Sequence, residues 1–140
     1  MDRVIWECPN LLTFGEQRVL LFSAGAQDEL LYSLYVAGTF RDEHFSPQTT
    51  GLLVHGGYFY APQVLRDKRG RYIMWGWLRE GRKSALSQEA GWAEVMSLPV
   101  MIAPLPEGKL RALDLSSLFA KGEPGSGHSK SGTWPSIWKL

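Results

Sequence analysis

The chain is short of cysteine, of histidine and of net charge. Its single cysteine, Cys8, excludes an internal disulfide and a thiolate metal cluster, and the three histidines lack the spacing of a zinc site. Fifteen Lys and Arg against fourteen Asp and Glu give a formal net charge of +1, too little to gather nucleic acid or anionic lipid. We therefore expect no metal, no cofactor, no nucleic-acid partner and no membrane partner.

Long apolar runs are also missing. No run approaches the ~20 residues that cross a bilayer, and the first residues lead into a strand-like run rather than a signal peptide. These features predict a cytoplasmic protein. The length of 140 residues allows one domain at most.

Aromatic residues, glycine and proline are abundant instead. The chain is 12% aromatic and has fifteen Gly and eight Pro, a mixture that favours β structure with many tight turns. Runs rich in β-branched and aromatic residues predict strands at 18–23, 30–37, 51–54, 57–65, 71–78, 93–98, 100–105 and 109–113, the first two forming a hairpin. This spacing is typical of an all-β sandwich, barrel or propeller.

Four segments are predicted to lie outside the strands. The best helical window, 84–92, is short and rich in small residues, so we predict a loop. Residues 42–44, Asp-Glu-His, are predicted to form a solvated turn rather than a metal site. Asp67 is predicted to cap the hairpin turn that Gly70 closes. The Gly/Ser-rich stretch 121–140 predicts a disordered tail after a domain of residues 1–120.

The first candidate for chemistry is Trp6-Glu7-Cys8-Pro9. A carboxyl group beside Ile5, Trp6 and Cys8, with Pro9 expected to stop the strand, would be poorly solvated, which favours its protonated form and suits a general acid. The alternative is a Glu on the solvent face of an edge strand. Cys8 has no histidine nearby in its motif to activate it, so we assign it to packing.

The second candidate is the aromatic segment from Gly56 to Gln63, which leads through a charged hairpin to Trp75-Gly76-Trp77. Aromatic rings beside an amide such as Gln63 are typical of a sugar site, where rings stack on the C–H face and polar groups fix hydroxyls. The alternative is an aromatic ladder that forms part of the core.

Together these motifs resemble those of glycoside hydrolase family 32, which comprises invertases, sucrose-6-phosphate hydrolases, levanases and inulinases. The resemblance runs from about residue 4 to 113. The matching motifs, in order, are Trp6-Glu7-Cys8-Pro9-Asn10-Leu11, Tyr35-Val36-Ala37-Gly38-Thr39-Phe40, Phe59-Tyr60-Ala61-Pro62-Gln63, Gly70-Arg71, Trp75-Gly76-Trp77-Leu78, Gly91-Trp92-Ala93 and Met96-Ser97-Leu98-Pro99.

The resemblance implies a partial five-bladed β-propeller, of which this chain supplies about two and a half blades. It also implies hydrolysis of sucrose or another β-fructoside with retention at the anomeric carbon, through one carboxyl acid/base and one carboxylate nucleophile. Glu7 matches the acid/base of the family. The resemblance further implies substrate-binding residues, namely Trp6, Cys8, Tyr60, Gln63 and Trp77.

Parts of the family pattern are not found in this chain. The family's Asn-Asp-Pro-Asn motif, which carries the nucleophile, and its Arg-Asp-Pro motif are absent, and so is the appended β-sandwich. Val54 stands where relatives have Asp, and Val100 where relatives have Arg. We therefore expect a fragment of a β-fructofuranosidase that carries the acid/base but does not act alone.

Two other functions stay open. One is a non-catalytic fructan- or sugar-binding module with Tyr58, Tyr60, Trp75 and Trp77 as stacking platforms. The other is a subunit that completes a split propeller with a separately encoded N-terminal half.

Overall fold

A computed structural model of the chain describes residues 4–27, 29–55 and 57–113, which form two antiparallel sheets. The first sheet is a meander of β1 (Val4–Phe14), β2 (Gln17–Ala26), β3 (Glu29–Arg41) and β4 (His44–Leu52). The second pairs β5 (Phe59–Arg66) with β6 (Tyr72–Leu78), then β8 (Val100–Pro104) and β9 (Leu110–Leu113), and the short β7 (Val95–Met96) also pairs with β6. The all-β fold class is confirmed.

The core lies between the two sheets. Leu12 and Leu21 come from the first sheet, Met74 and Ile102 from the second, and all four are at most 4% exposed. Successive residues of a strand point to opposite faces, so each sheet has one face in this core and one facing away from it. Burial of each large apolar side chain stabilises the fold by about 1.5–3 kcal/mol.

Two strand predictions need correction. The strand at Glu7 does not stop at Pro9: β1 continues to Phe14, because a bulge at Cys8–Pro9 accommodates the proline on this edge strand. The strand expected at 51–54 is instead the end of β4, which begins at His44. The hairpin of β2 and β3 is confirmed, with both strands longer than predicted.

The loop predicted at 84–92 is wrong, because Ser84–Ala90 form helix α1. This helix buries none of its residues, so it has no apolar face for a periodicity analysis to detect. It ends at Gly91, whose φ of 72° places it in the left-handed region that favours glycine. Within the described ranges no helix is long and apolar enough to cross a membrane.

The prediction for Asp67 is confirmed, and the turn predicted at 42–44 is confirmed for residues 42 and 43, whereas His44 is the first residue of β4. The Asp67 carboxylate accepts hydrogen bonds from the backbone N–H groups of Arg69 (2.9 Å) and Arg71 (2.8 Å), and Gly70 N–H donates to the Asp67 carbonyl. Asp42 and Glu43 form an exposed turn between β3 and β4. The predicted tail, 121–140, and the end of the predicted domain lie outside the described residues.

Candidate active site

The carboxyl group of Glu7 lies where the two sheets meet. Glu7 is on β1, at the edge of the first sheet, and Tyr60 is on β5, at the edge of the second. The Tyr60 hydroxyl donates a hydrogen bond of 2.6 Å to Glu7 Oε2. The residues are 53 positions apart in sequence, so only the packing of the sheets brings them together.

Each of the two strands carries a bulge next to this contact. The register of β1 shifts between Glu7 and Asn10, and that of β5 between Tyr60 and Gln63. Cys8 and Ala61, inside the bulges, have φ values of 50° and 49°, a region that non-glycine residues rarely adopt. Bulges re-aim side chains and are frequent beside active sites. We name this pair of facing bulges the bulge junction (residues 7–10 and 60–63).

Asn10 binds the two bulges to each other. Its Nδ2 donates to the carbonyl of Cys8 (2.9 Å) and to that of Pro62 (2.8 Å), and its Oδ1 accepts from the N–H of Val64 (3.2 Å). A bulge leaves backbone groups without ladder partners, and one amide side chain here satisfies three of them. The relative position of Glu7 and Tyr60 therefore depends on Asn10.

A buried serine pair holds the start of β5 from the other side. Ser23 and Ser33, on β2 and β3, share a hydrogen bond of 2.9 Å between their hydroxyls, and both are at most 1% exposed. Ser23 Oγ accepts from the N–H of Ala61 (2.8 Å), and Ser33 Oγ donates to the carbonyl of Phe59 (3.2 Å). Sequence reasoning missed both serines, because alternation inside an apolar strand gives no sign of a polar partner in another sheet.

The hydroxyl of Tyr60 stays protonated in this setting. Burial, the hydrogen bond to Glu7 and the charge of Glu7 all raise its pKa, while the Arg79 guanidinium, 5.6 Å from the Tyr60 ring centroid, opposes the shift. Tyr60 is therefore a donor to the Glu7 carboxylate. Gly25 permits the contact, since a Cβ there would lie 3.3 Å from the Tyr60 hydroxyl oxygen.

Arg79 is fixed by backbone carbonyls rather than by an acidic side chain. Its Nη1 donates to Leu30 (2.5 Å), and its Nη2 donates to Leu31 (3.4 Å) and to Gly57. The guanidinium is thus held beside Tyr60 with its positive charge not neutralised by a carboxylate among the described residues. Sequence reasoning did not single out Arg79.

The other site residues predicted from the sequence differ in their exposure and in the groups that they contact. Trp6 is exposed and stacks on Phe22 with ring centroids 4.4 Å apart, and Trp77 meets Tyr60 edge to face at 6.4 Å. Gln63 is exposed, and its Nε2 donates to the Pro62 carbonyl. Cys8 is exposed at the bulge, so its assignment to packing is wrong.

The proposed stacking residues do not form one platform. Tyr60 is only 3% exposed, so it offers its hydroxyl rather than a ring face. Trp75 and Trp77 lie two residues apart on β6 and share the face that points away from the core, whereas Tyr58 precedes β5 and lines a separate pocket.

Val54 and Val100 are both part of the core between the sheets, at 9% and 2% exposure. At these positions the chain therefore uses apolar packing. Among the described residues, no cluster of His, Cys, Asp and Glu is placed to hold a metal ion.

Residues 1–111 match the family model of the glycosyl hydrolases family 32 N-terminal domain. The chain belongs to glycoside hydrolase family 32. A sucrose-6-phosphate hydrolase of Zymomonas mobilis is 34% identical over 103 residues, which are 68% of this chain and 20% of that protein. The family 32 chain thus spans about a fifth of the length of that relative.

Two solved structures share the fold of this family 32 chain. A variant of the Bombyx mori β-fructofuranosidase in complex with sucrose superposes with a TM-score of 0.66 at 23% identity, over 79% of this chain and 25% of that one. Fructan 1-exohydrolase IIa of Cichorium intybus gives 0.62 at 24% identity, over 81% and 25%. The two-sheet arrangement is therefore one that family 32 enzymes contain.

Proposed function

We propose that this chain is part of a retaining β-fructofuranosidase and that Glu7 is its acid/base. The observation that carries the proposal is the Tyr60–Glu7 hydrogen bond at the bulge junction, in a chain of this family. In the first step, the fructosyl carbon bonds to a carboxylate nucleophile as its bond to the leaving-group oxygen breaks, and protonated Glu7 gives its proton to that oxygen. In the second, the Glu7 carboxylate takes a proton from the water that releases fructose.

Tyr60 and Arg79 support this cycle. The Tyr60 hydroxyl donates to the carboxylate that forms when Glu7 has given up its proton, and the Arg79 guanidinium lies 5.6 Å from the centroid of the Tyr60 ring. Tyr60 therefore holds the Glu7 carboxyl group in place, and Arg79 lies against the ring of Tyr60.

The nucleophile is proposed to come from outside this sequence, because the family motif that carries it is not found among the 140 residues. The substrate class is proposed to be sucrose, its 6-phosphate or a fructan. The relatives' names support this range, as they include a sucrose-6-phosphate hydrolase and a fructan 1-exohydrolase.

The outward faces of the sheets support a larger propeller, which we propose to have five blades. On the first sheet Trp6, Leu11 and Tyr32 are 62%, 59% and 45% exposed, and cross-strand pairing places all three on the face away from the core. On the second sheet Met96, opposite Trp77, is also exposed on the outward face. Apolar sheet faces of this kind need a covering layer, and in a propeller that layer is the next blade. A complementary N-terminal half, in this or another polypeptide, is the occupant we propose.

The test is complementation. The chain is co-expressed with the part of the Zymomonas mobilis relative that precedes the 103 residues matched by this chain, and fructose release from sucrose and its 6-phosphate is measured. We expect no release by the chain alone and release by the pair. Glu7→Gln should lower release by about 10²–10⁴-fold, the usual contribution of a positioned general acid/base.

Glu16→Gln is the matched control, because Glu16 is an exposed carboxylate in the turn after β1. Equal release by the two variants would overturn the acid/base assignment. Release by the lone chain that depends on Glu7 would show instead that it holds its own nucleophile.

A further inference from the structure

Glu7 belongs to a row of polar residues that crosses three strands of the first sheet. Glu7 on β1 lies opposite Ser23 on β2, and Ser23 lies opposite Ser33 on β3. Cross-strand partners lie on the same face of a sheet, and each of these three side chains forms a hydrogen bond with a residue of β5. We name Glu7, Ser23 and Ser33 the polar row.

The hydrogen atoms of the two serines can be assigned by counting. A serine hydroxyl has one hydrogen to donate, and its oxygen can also accept. Ser33 uses its hydrogen on the Phe59 carbonyl (3.2 Å), so Ser23 is the donor and Ser33 the acceptor in the 2.9 Å contact between the hydroxyls. The Ser23 oxygen in turn accepts from the Ala61 N–H (2.8 Å). The three bonds therefore run in one direction, from the Ala61 N–H through both serines to the Phe59 carbonyl.

This series of hydrogen bonds begins and ends on the two sequence neighbours of Tyr60. It includes Ala61, whose φ of 49° is a conformation that non-glycine residues rarely adopt, at the bulge of β5. Ser23 supplies an acceptor for the N–H of this unusual residue. The backbone on both sides of Tyr60 is thus bound to β2 and β3.

Burial makes these bonds hard to replace. Ser23 and Ser33 are 0% and 1% exposed, so bulk water does not reach either hydroxyl. Loss of one hydroxyl would take a hydrogen-bond partner from a polar group in a dry site, which is costly unless the strand shifts. Ser23 is also the strand partner of Glu7. One residue therefore adjoins both sides of the 2.6 Å bond between Tyr60 and Glu7.

We propose that Ser23 and Ser33 are positioning residues of the acid/base, because their hydrogen bonds to β5 hold the Tyr60 hydroxyl at Glu7. Both serines are buried, so they act through Tyr60 and not on a substrate. The inference rests on the function proposed above and adds to it two residues that keep the site in its working geometry.

The test follows the ¹³Cζ NMR signals of the five tyrosines in the 140-residue chain. The Tyr60 signal is identified by its absence in Tyr60→Phe. Glu7→Gln supplies the reference for an altered contact, because it replaces the carboxylate acceptor of the Tyr60 hydroxyl by a neutral amide. We expect Ser23→Ala and Ser33→Ala to shift the Tyr60 signal in the same direction as Glu7→Gln does, since β5 then no longer holds the hydroxyl in place.

Ser97→Ala is the matched control. Ser97 is 5% exposed, and its hydroxyl also accepts from a backbone N–H, that of Gly76 (3.0 Å), and donates to a carbonyl, that of Leu98 (3.1 Å). We expect Ser97→Ala to unfold at a lower urea concentration than wild type, as Ser23→Ala does, and to leave the Tyr60 signal in place. A merely structural role for Ser23 would give the same Tyr60 signal in both variants.

A second measurement follows sucrose hydrolysis by the co-expressed pair. Ser23→Ala should lower kcat about fivefold with KM unchanged, the factor that one lost hydrogen bond represents, and Ser97→Ala should leave kcat unchanged.

The proposal is overturned if Ser23→Ala and Ser33→Ala leave the Tyr60 signal at its wild-type position, if Ser97→Ala shifts it equally, or if Ser23→Ala hydrolyses sucrose as Ser97→Ala does. Failure of the positioning role leaves the loss of hydrolysis in Glu7→Gln intact. Failure of the acid/base assignment leaves the shift of the Tyr60 signal intact.

Discussion

Glu7, on β1, and Asp67, in the turn between β5 and β6, are both half-buried carboxylates, but their partners differ in kind. Asp67 is bound by Arg71, four residues away, through an ion pair of 2.7 Å and by two backbone N–H groups of its own turn, which lower its pKa. Glu7 is bound by a neutral tyrosine hydroxyl from another sheet and forms no ion pair among the described residues. The carboxylate of Asp67 is thus held by groups of its own turn, whereas the position of Glu7 depends on the packing of the two sheets.

Glu80 resembles Asp67 rather than Glu7. Its partner, Arg82, is two residues away, and their hydrogen bonds lower the pKa of Glu80 to about 2. The two carboxylates whose partners are near in sequence therefore stabilise local structure. Glu7, whose partner comes from another sheet, is the carboxylate that we propose for proton transfer.

The largest loss of stability is expected for Asn10→Ala. This substitution removes the three hydrogen bonds that the Asn10 side chain forms at the bulge junction, which positions Glu7. At about 1 kcal/mol of net stabilisation each, their loss should lower the unfolding free energy by about 2–3 kcal/mol. Urea denaturation measures it, and Gln48→Ala, at an exposed amide on β4, is the control. If both variants unfold at the same urea concentration, the junction does not depend on Asn10.

An intermediate effect is expected from Tyr60→Phe at alkaline pH. The pKa of Tyr60 is raised in the folded chain, so its contribution to stability is fully present below the ordinary tyrosine pKa of 10.0 and is lost as pH rises above it. Wild type should therefore lose more thermal stability than Tyr60→Phe between about pH 9 and about pH 11. Melting curves across this range test the prediction, with Tyr32→Phe, at an exposed tyrosine, as control. An identical loss in wild type and Tyr60→Phe would contradict it.

The smallest effect is expected from Glu80→Gln at acid pH. Because the folded pKa of Glu80 is about 2, against 4.5 ordinarily, its contribution is present above about pH 4.5 and is lost as pH falls towards 2. Glu80→Gln should only slightly reduce the fall of the unfolding free energy between about pH 4.5 and about pH 2, since partly exposed ion pairs contribute little to stability. Chemical denaturation at several pH values measures it. Glu16→Gln, which removes an exposed pair with Arg41 at 3.5 Å, should not alter the profile, and an equal change in both variants would contradict the prediction.

The sequence predicted the structural features that depend on interactions between residues close to each other in the chain. The Asp67 turn follows from a carboxylate near a glycine, and the β2–β3 hairpin follows from two β-rich runs, so both could be predicted from residues close in the chain. Helix α1 was missed because it buries nothing. The continuation of β1 past Pro9 was missed because the bulge there depends on β2 and on Asn10.

The sequence by itself determined the family, through ordered motifs, and the all-β class, through its aromatic and glycine content. Only the tertiary structure decided that Tyr60 binds Glu7, that Asn10 and Ser23 fix the two bulges, and that Arg79 lies beside the Tyr60 ring. The reason is that these contacts join residues up to 54 positions apart. Their distances are fixed by how two sheets pack, which no local pattern encodes.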